Sequence, residues 1–295
     1  SIIMYRSVFL SAGAIASALT LTSPAFAHGY AGNRFFPATI ATEDPAAADE
    51  LALPTITHFG DETEYSGEFA KRITLHLAFS IGQAWTHEGG GGEGFQNLET
   101  GLKWQLLTEP EAEAMMSLGL DVEWGGTGDA DAGAEETTVI APGFLFGKGF
   151  GGASSEMLRP VAITGQISYA VPTQARDDAG EAIPNVLSGG FALEYSLPYL
   201  NSHVRDHGWP SWVNHLTPLV EVTFERPLGH DAGDLTGTVN PGVLWSGRRV
   251  QLGAELIIPM NDESGDATGW ALQAHVFIDD MFPRTLGRPL FGATR

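Results

Sequence analysis

The feature that most constrains this chain is an alternation of period two. It recurs in segment after segment from about residue 60 to residue 279. In residues 75–86 one face carries Leu75, Leu77, Phe79, Ile81 and Trp85, and the other carries His76, Ala78, Ser80, Gly82, Ala84 and Thr86. In 96–106 Leu98, Leu102, Trp104 and Leu106 oppose Asn97, Glu99, Gly101, Lys103 and Gln105. In 113–126 Met116, Leu118, Leu120, Val122 and Trp124 oppose Ser117, Gly119, Asp121 and Glu123. In 185–197 Leu187, Phe191, Leu193, Tyr195 and Leu197 oppose Ser188, Gly190, Ala192, Glu194 and Ser196. Successive side chains of a strand point to opposite faces, so each segment reads as a two-faced strand. Helical periodicity is almost absent after residue 60.

A soluble sandwich also alternates. Three details separate this chain from one. The polar face is small and acidic, whereas the apolar face is bulky. The segments run about 10–13 residues, longer than the usual soluble strand of about 5–6 and close to the tilted membrane strand of about 9–11. Aromatics sit at segment ends (Trp85, Trp104, Trp124, Tyr195, Trp245 and Trp270), where an interfacial girdle would lie. The expected fold is therefore all-β, an antiparallel transmembrane barrel of about twelve strands. The strands are 51–59, 61–70, 75–86, 95–107, 113–126, 137–147, 158–171, 185–197, 214–226, 235–246, 249–259 and 267–279. Ten is the alternative, if 51–70 lies outside the wall. Polar Gly- or Asp-rich loops at 89–94, 125–136, 176–183, 229–234 and 261–268 alternate with tighter turns at 71–74, 109–111 and 246–249. That is the outer-membrane pattern, long outside and short in the periplasm. Two periplasmic connections, 147–157 and 198–214, break it, and the second is long enough for a small helix or plug.

If the bulky face meets lipid, the small face lines a lumen. It would hold Glu64, Glu68, Glu99, Asp121, Glu123, Glu194, Glu221, Glu225, Glu255 and Asp279, with Lys103, His76 and His275. Glu99, Lys103, Asp121, Glu123, Glu194, Glu221 and Glu255 are the candidate selectivity residues. Such an interior favours cations. The whole chain agrees in sign: 36 acidic residues against 15 basic give a formal charge of −21, which argues against a nucleic-acid partner. With no cysteine in the chain, thiolate metal sites, disulfides and a Cys nucleophile are excluded.

The first residues read as export machinery. Met4 to Ser7 carry Arg6, an apolar run follows to about Leu21, and Pro24-Ala25-Phe26-Ala27 offers an Ala-x-Ala cleavage site. Residues 1–27 are expected to be a signal peptide, residues 28–50 a lumen or plug-like segment, and residues 51–295 the barrel. The stretch from His28 to Thr39 is too polar and irregular for a wall strand. Together with Ser196-Leu197-Pro198-Tyr199-Leu200 and Asp279-Asp280-Met281-Phe282-Pro283, it resembles proteobacterial outer-membrane proteins grouped with the transporter-like barrels of the phenol meta-pathway degradation family. The resemblance covers the expected mature chain. It implies an outer-membrane barrel that moves small, aromatic molecules and has no catalytic residues. The end departs from the usual porin pattern, because Phe291 is followed by Gly-Ala-Thr-Arg.

Two other readings stand beside a channel. One is a structural barrel with a filled lumen. The other is a secreted copper-dependent enzyme: a mature N-terminal His28 offers an amine and an imidazole, as in the lytic polysaccharide monooxygenases, whose mature chains also often begin His-Gly. His58, His76 and His87 are the candidate partners, with His28 and His76 the metal pair to test. His203 and His207 have helical metal-pair spacing, but Gly208 and Pro210 cut such a helix short. No nucleophile elbow, phosphate loop or dinucleotide fingerprint occurs. The expectation is a non-enzymatic outer-membrane channel without a cofactor. Lipid and a small solute are its partners, and diffusion runs through an acidic lumen.

Overall fold

A computed structural model describes residues 29–177, 180–229 and 233–292. The export-signal segment and His28 lie outside the described residues. Twelve long strands make the wall: β1 (Glu50–Phe59), β2 (Glu62–Arg72), β3 (Leu77–Glu88), β4 (Leu98–Glu109), β5 (Ala114–Trp124), β6 (Val139–Gly149), β7 (Val161–Pro172), β8 (Asn185–Tyr195), β9 (Leu216–Leu228), β10 (Thr236–Ser246), β11 (Val250–Pro259) and β12 (Gly269–Phe277). Every strand pairs antiparallel with its sequence neighbours, and β12 pairs with β1, so the sheet closes on itself and leaves no edge. The ten-strand alternative is thereby excluded, since β1 and β2 are both in the wall.

Register follows from the side chains. On β8, Ser188, Gly190, Ala192 and Glu194 are buried, while Phe191 and Leu193 are exposed. On β5, Met115, Ser117 and Gly119 are buried and Met116 and Leu118 exposed. On β11, Gln251, Glu255 and Ile257 are buried and Leu252, Leu256 and Ile258 exposed. A one-residue slip would exchange these faces, so the contrast of bulky against small pins the pairing. Two irregularities interrupt it. The β1 register shifts between Ala52 and Thr55, where Pro54 has no N–H to offer a ladder. The β4 register shifts between Gln105 and Leu107, which leaves both Leu106 and Leu107 exposed.

The rim that bears Glu50 and Phe277, here the proximal rim, carries turns at 73–76, 110–113 and 247–249 and two longer connections at 150–160 and 196–215. The longer of these holds a short α-turn, Leu197–Tyr199, running into a π-helical turn, Leu200–Val204. The distal rim carries the loops at 89–97 and 125–138, which pack on each other through Asp129, Gln96 and Asn97. Two sequence expectations need correction. His76 lies in an exposed proximal turn and not in the lumen, because β3 begins only at Leu77. Asp279 lies in the helical turn Ile278–Met281 that follows β12, not on a strand.

Candidate lumen site

A twelve-stranded wall encloses more space than its inner side chains here can fill. The inward positions are rich in Gly, Ala and Ser: Ala78, Ser80, Gly82, Ser117, Gly119, Ala141, Ala162, Ser188 and Ala192 among them. Residues 29–49 occupy that space. They form a two-residue hairpin (Tyr30–Ala31 with Arg34–Phe35) and then an irregular run in which Ala46, Ala47, Ala48 and Phe36 are all buried. Two inward glycines show how close the approach is. A Cβ on Gly253 would sit 2.7 Å from Ile40 Cδ1, and one on Gly147 would sit 3.1 Å from both the Phe36 ring and Pro45.

The contacts between segment and wall are mostly polar. Glu221 on β9 is fully buried and accepts four hydrogen bonds from the segment. These come from the amides of Ile40 (2.8 Å), Ala41 (3.2 Å) and Thr42 (2.6 Å) and from the Thr42 hydroxyl (2.6 Å). Three successive amides turned to one carboxylate make an anion nest. Lys103 on β4 pairs with Glu43 at 2.6 Å and donates to the Asp44 carbonyl at 2.9 Å. Gln166 accepts from the Glu43 amide, Gln105 from the Ala47 amide, Gln251 donates to the Ala38 carbonyl and Ser117 to that of Pro45. Burial pushes the Asp44 carboxyl up to about 6, with Lys103 pulling the other way. Between segment and wall a cavity of ≈ 20 Å³ remains, lined by Glu43, Glu50, Glu68, Lys103 and Asp121. Glu68 on its lining is exposed to solvent, so water reaches this part of the lumen.

Both ends of the segment are held by charge at the proximal rim. Arg34 is fully buried. Its Nε meets Glu113 Oε2 at 3.1 Å, and its two terminal nitrogens donate to the carbonyls of Pro160 (3.0 Å) and Arg159 (2.5 Å). Its guanidinium lies over the Tyr199 ring at 3.8 Å. The Tyr199 hydroxyl donates to Glu113 Oε1 at 2.7 Å; burial and that carboxylate push the phenol up to about 12. At the other end Asp49 is buried between Lys71 and Arg72, with the Arg72 Nε at 2.8 Å and the Arg72 amide at 2.8 Å. Arg72 continues to Asp279 at 3.5 Å and to the Gly287 carbonyl at 3.0 Å.

The structure puts Lys103 and Glu221 directly against the segment. Glu194 and Glu255 are buried on the same inner face, and one oxygen of Glu194 meets no hydrogen-bond donor among the described residues. Asp121 lines the small cavity, and Glu123 accepts from Asn97 Nδ2 at 2.8 Å. Glu99 faces Glu123 across the β4–β5 ladder. Among the described residues no three His, Asp or Glu side chains are arranged to hold a metal ion. Sequence reasoning gave no site role to Arg34, Glu113, Tyr199 or Asp49. The signal was indirect: of the two long proximal connections that broke the loop rule, the one at 198–214 supplies Tyr199 to Arg34, and the other, expected at 147–157, extends to 160 and supplies Arg159 and Pro160.

The outside carries a continuous apolar band. Ile81, Leu106, Met116, Leu118, Ile140, Ile167, Phe191, Leu193, Val220, Val243, Leu252, Leu256 and Leu272 are all exposed and lie on successive strands from β3 to β12. A water-soluble monomer rarely shows so large a patch, whereas a barrel in lipid requires it. No family model matches the chain, and no curated protein matches it in sequence. Solved structures match in shape. The NanC porin is 8% identical with a TM-score of 0.51, over 77% of this chain and 98% of that one. The KdgM porin is 9% identical with a TM-score of 0.48, again over 77% and 98%. LpxR from Salmonella typhimurium is 12% identical with a TM-score of 0.45, over 77% and 99%. At these identities the likeness is one of fold: a closed, twelve-stranded antiparallel barrel with a lipid-type exterior and a polar interior, similar in shape to the NanC porin.

Proposed function

We propose that this protein is an outer-membrane channel for small solutes, closed at rest by residues 29–49 acting as a plug. The proximal rim is then periplasmic and the distal rim extracellular. The observation that carries this reading is the division of labour inside the barrel. The wall's inner side chains are too small to fill the lumen, and a separate segment, joined to the wall chiefly by hydrogen bonds and ion pairs, fills it instead. Polar contacts exchange with water at a modest net cost, about 0.5–1.5 kcal/mol for a neutral hydrogen bond and about 1.5–3 kcal/mol for one to a charged group. A plug held this way can be released, whereas an apolar core cannot. Once it leaves, Glu221, Glu194, Glu255 and Asp121 face water and favour cations. The resemblance to phenol meta-pathway barrels points to aromatic solutes and the carboxylates to cations. Aromatic cations satisfy both.

The experiment compares wild type with a chain lacking residues 29–48 in planar bilayers. Wild type should show low or intermittent conductance and the deletion a steady, larger, cation-selective one. Replacing Asp121 and Glu123 with Asn and Gln should lower that preference, most visibly at low salt. A deletion that assembles but never conducts would favour a filled structural barrel.

A further inference from the structure

We infer that the periplasmic rim carries a guanidinium-binding site, filled at rest by Arg34 and open to soluble guanidinium-bearing cations when the plug withdraws. The inference rests on the plug reading, because only withdrawal empties the site.

The rim offers each feature a guanidinium uses. A planar fork of N–H donors needs acceptors in its plane and tolerates an aromatic ring against its face. Glu113 supplies the carboxylate, and Arg159 and Pro160 supply two main-chain carbonyls turned to the same point. Tyr199 supplies the ring, at a distance suited to a cation–π contact.

These groups come from three separate connections, 110–113, 150–160 and 196–215, and each is braced without help from Arg34. Glu113 Oε1 accepts from the Tyr199 hydroxyl, its Oε2 from the Gly151 amide at 2.9 Å, and its carbonyl from the Gly149 amide at 2.8 Å. The side chain of Arg159 donates back to the Ala153 carbonyl at 2.9 Å and holds its own loop. Tyr199 stacks on His203 with 4.8 Å between ring centroids. Glu113 also holds a left-handed φ of +48°, a conformation that non-glycine residues adopt at a cost and that persists where surroundings over-determine it. The cage is thus preorganised. It needs the cation to satisfy its carboxylate and carbonyls, but not to position them. An ammonium would meet the carboxylate and leave at least one carbonyl without a donor in line.

The test uses Arg34→Ala in detergent micelles, where removing the side chain leaves the cage empty. Guanidinium chloride should raise its melting temperature with half-saturation on the order of 1 mM, an affinity reachable for so small an ion. Sodium and ammonium chloride at equal ionic strength should not. L-arginine amide should act as guanidinium does. Wild type, whose site is occupied, should gain nothing, and Arg34→Ala with Glu113→Gln should lose the response. Should Arg34→Ala fail to assemble, Arg34→Val keeps the stem as far as Cγ and leaves the fork's space empty for the same titration. Equal responses to guanidinium and sodium, or none to either, would overturn the site. A guanidinium-specific response in a protein that never conducts would keep the site and remove the channel.

Discussion

The two ends of the plug are anchored at the same rim by charges of opposite sign, and they are not equivalent. Asp49 directly precedes β1 and is gripped by Lys71 and Arg72 at the end of β2, so its partners belong to the wall hairpin that continues from it. Arg34 is gripped by residues of three connections, none of them in a strand. Asp49 cannot leave without opening the wall. Arg34 can leave if loops move. If the segment withdraws as proposed, Asp49 is its hinge and Arg34 its latch, and withdrawal begins at the Tyr30–Phe35 hairpin that carries Arg34. On that reading the difference teaches that a plug's mobility would be set by where its partners sit, more than by how many hydrogen bonds it makes.

The largest effect should come from the hinge. Asp49→Ala leaves the buried Arg72 with only the longer 3.5 Å carboxylate contact, to Asp279, and the half-buried Lys71 without its carboxylate, and breaking a buried pair this way costs about 3–5 kcal/mol. Unfolding in denaturant should show that loss in the whole barrel. Arg34→Ala should cost the wall less while exposing residues 29–48 to protease. Equal losses of wall stability in the two variants would break the distinction between hinge and latch.

Neighbouring residues on β11 separate wall from plug. Leu252 faces outward and Gly253 touches Ile40. Leu252→Arg places a charge on the lipid face and should cost about 2–4 kcal/mol, read as failure to assemble in liposomes. Gly253→Leu overpacks the plug and should cost about 1–3 kcal/mol. Its barrel should still show heat-modifiable migration while the plug becomes protease-sensitive.

Between hinge and latch lies the Glu221 nest. Glu221→Gln removes the charge that faces three amides and a hydroxyl. The plug's docking should weaken by about 1–2 kcal/mol, the excess of a charged over a neutral hydrogen-bond acceptor. Hydrogen exchange at Ile40, Ala41 and Thr42 should speed up, with the wall amides unchanged. Acceleration spread evenly over wall and plug would place Glu221 in the wall's own stability instead.

The smallest effect concerns pH. Asp44 holds its proton to about pH 6 in the folded protein, against an ordinary value of 3.8. The folded state binds more protons between those values, so this contribution is fully present below about pH 4 and is lost as pH rises to about 6. Plug protection against protease should fall across that window and stay level above it. Asp44→Asn should flatten the profile; an unchanged profile in that variant would assign it to another group.

Much of the wall was legible because lipid and lumen impose opposite demands on adjacent residues. Leu118 against Gly119, or Leu193 against Glu194, is a local contrast that survives without any knowledge of the fold. The strand count and inner face followed from it, and so did the placement of Glu221 and Glu255 inside. His76 went astray at a strand end, where one residue decides between lumen and turn and no periodicity remains to decide it.

The sequence by itself determined the strands, their faces and the acidity of the interior, because each depends on neighbours two residues apart, and the outward apolar face then required the sheet to close. The sequence also offered residues 28–50 as a lumen segment, but the tertiary structure alone decided which wall residues hold it. Arg34 meets Glu113, Pro160 and Tyr199 across separations of 79 to 165 residues, and Glu221 meets Ile40 across 181. A buried charge reveals its partner only when the chain has closed around it. No local pattern records which carboxylate or carbonyl will arrive.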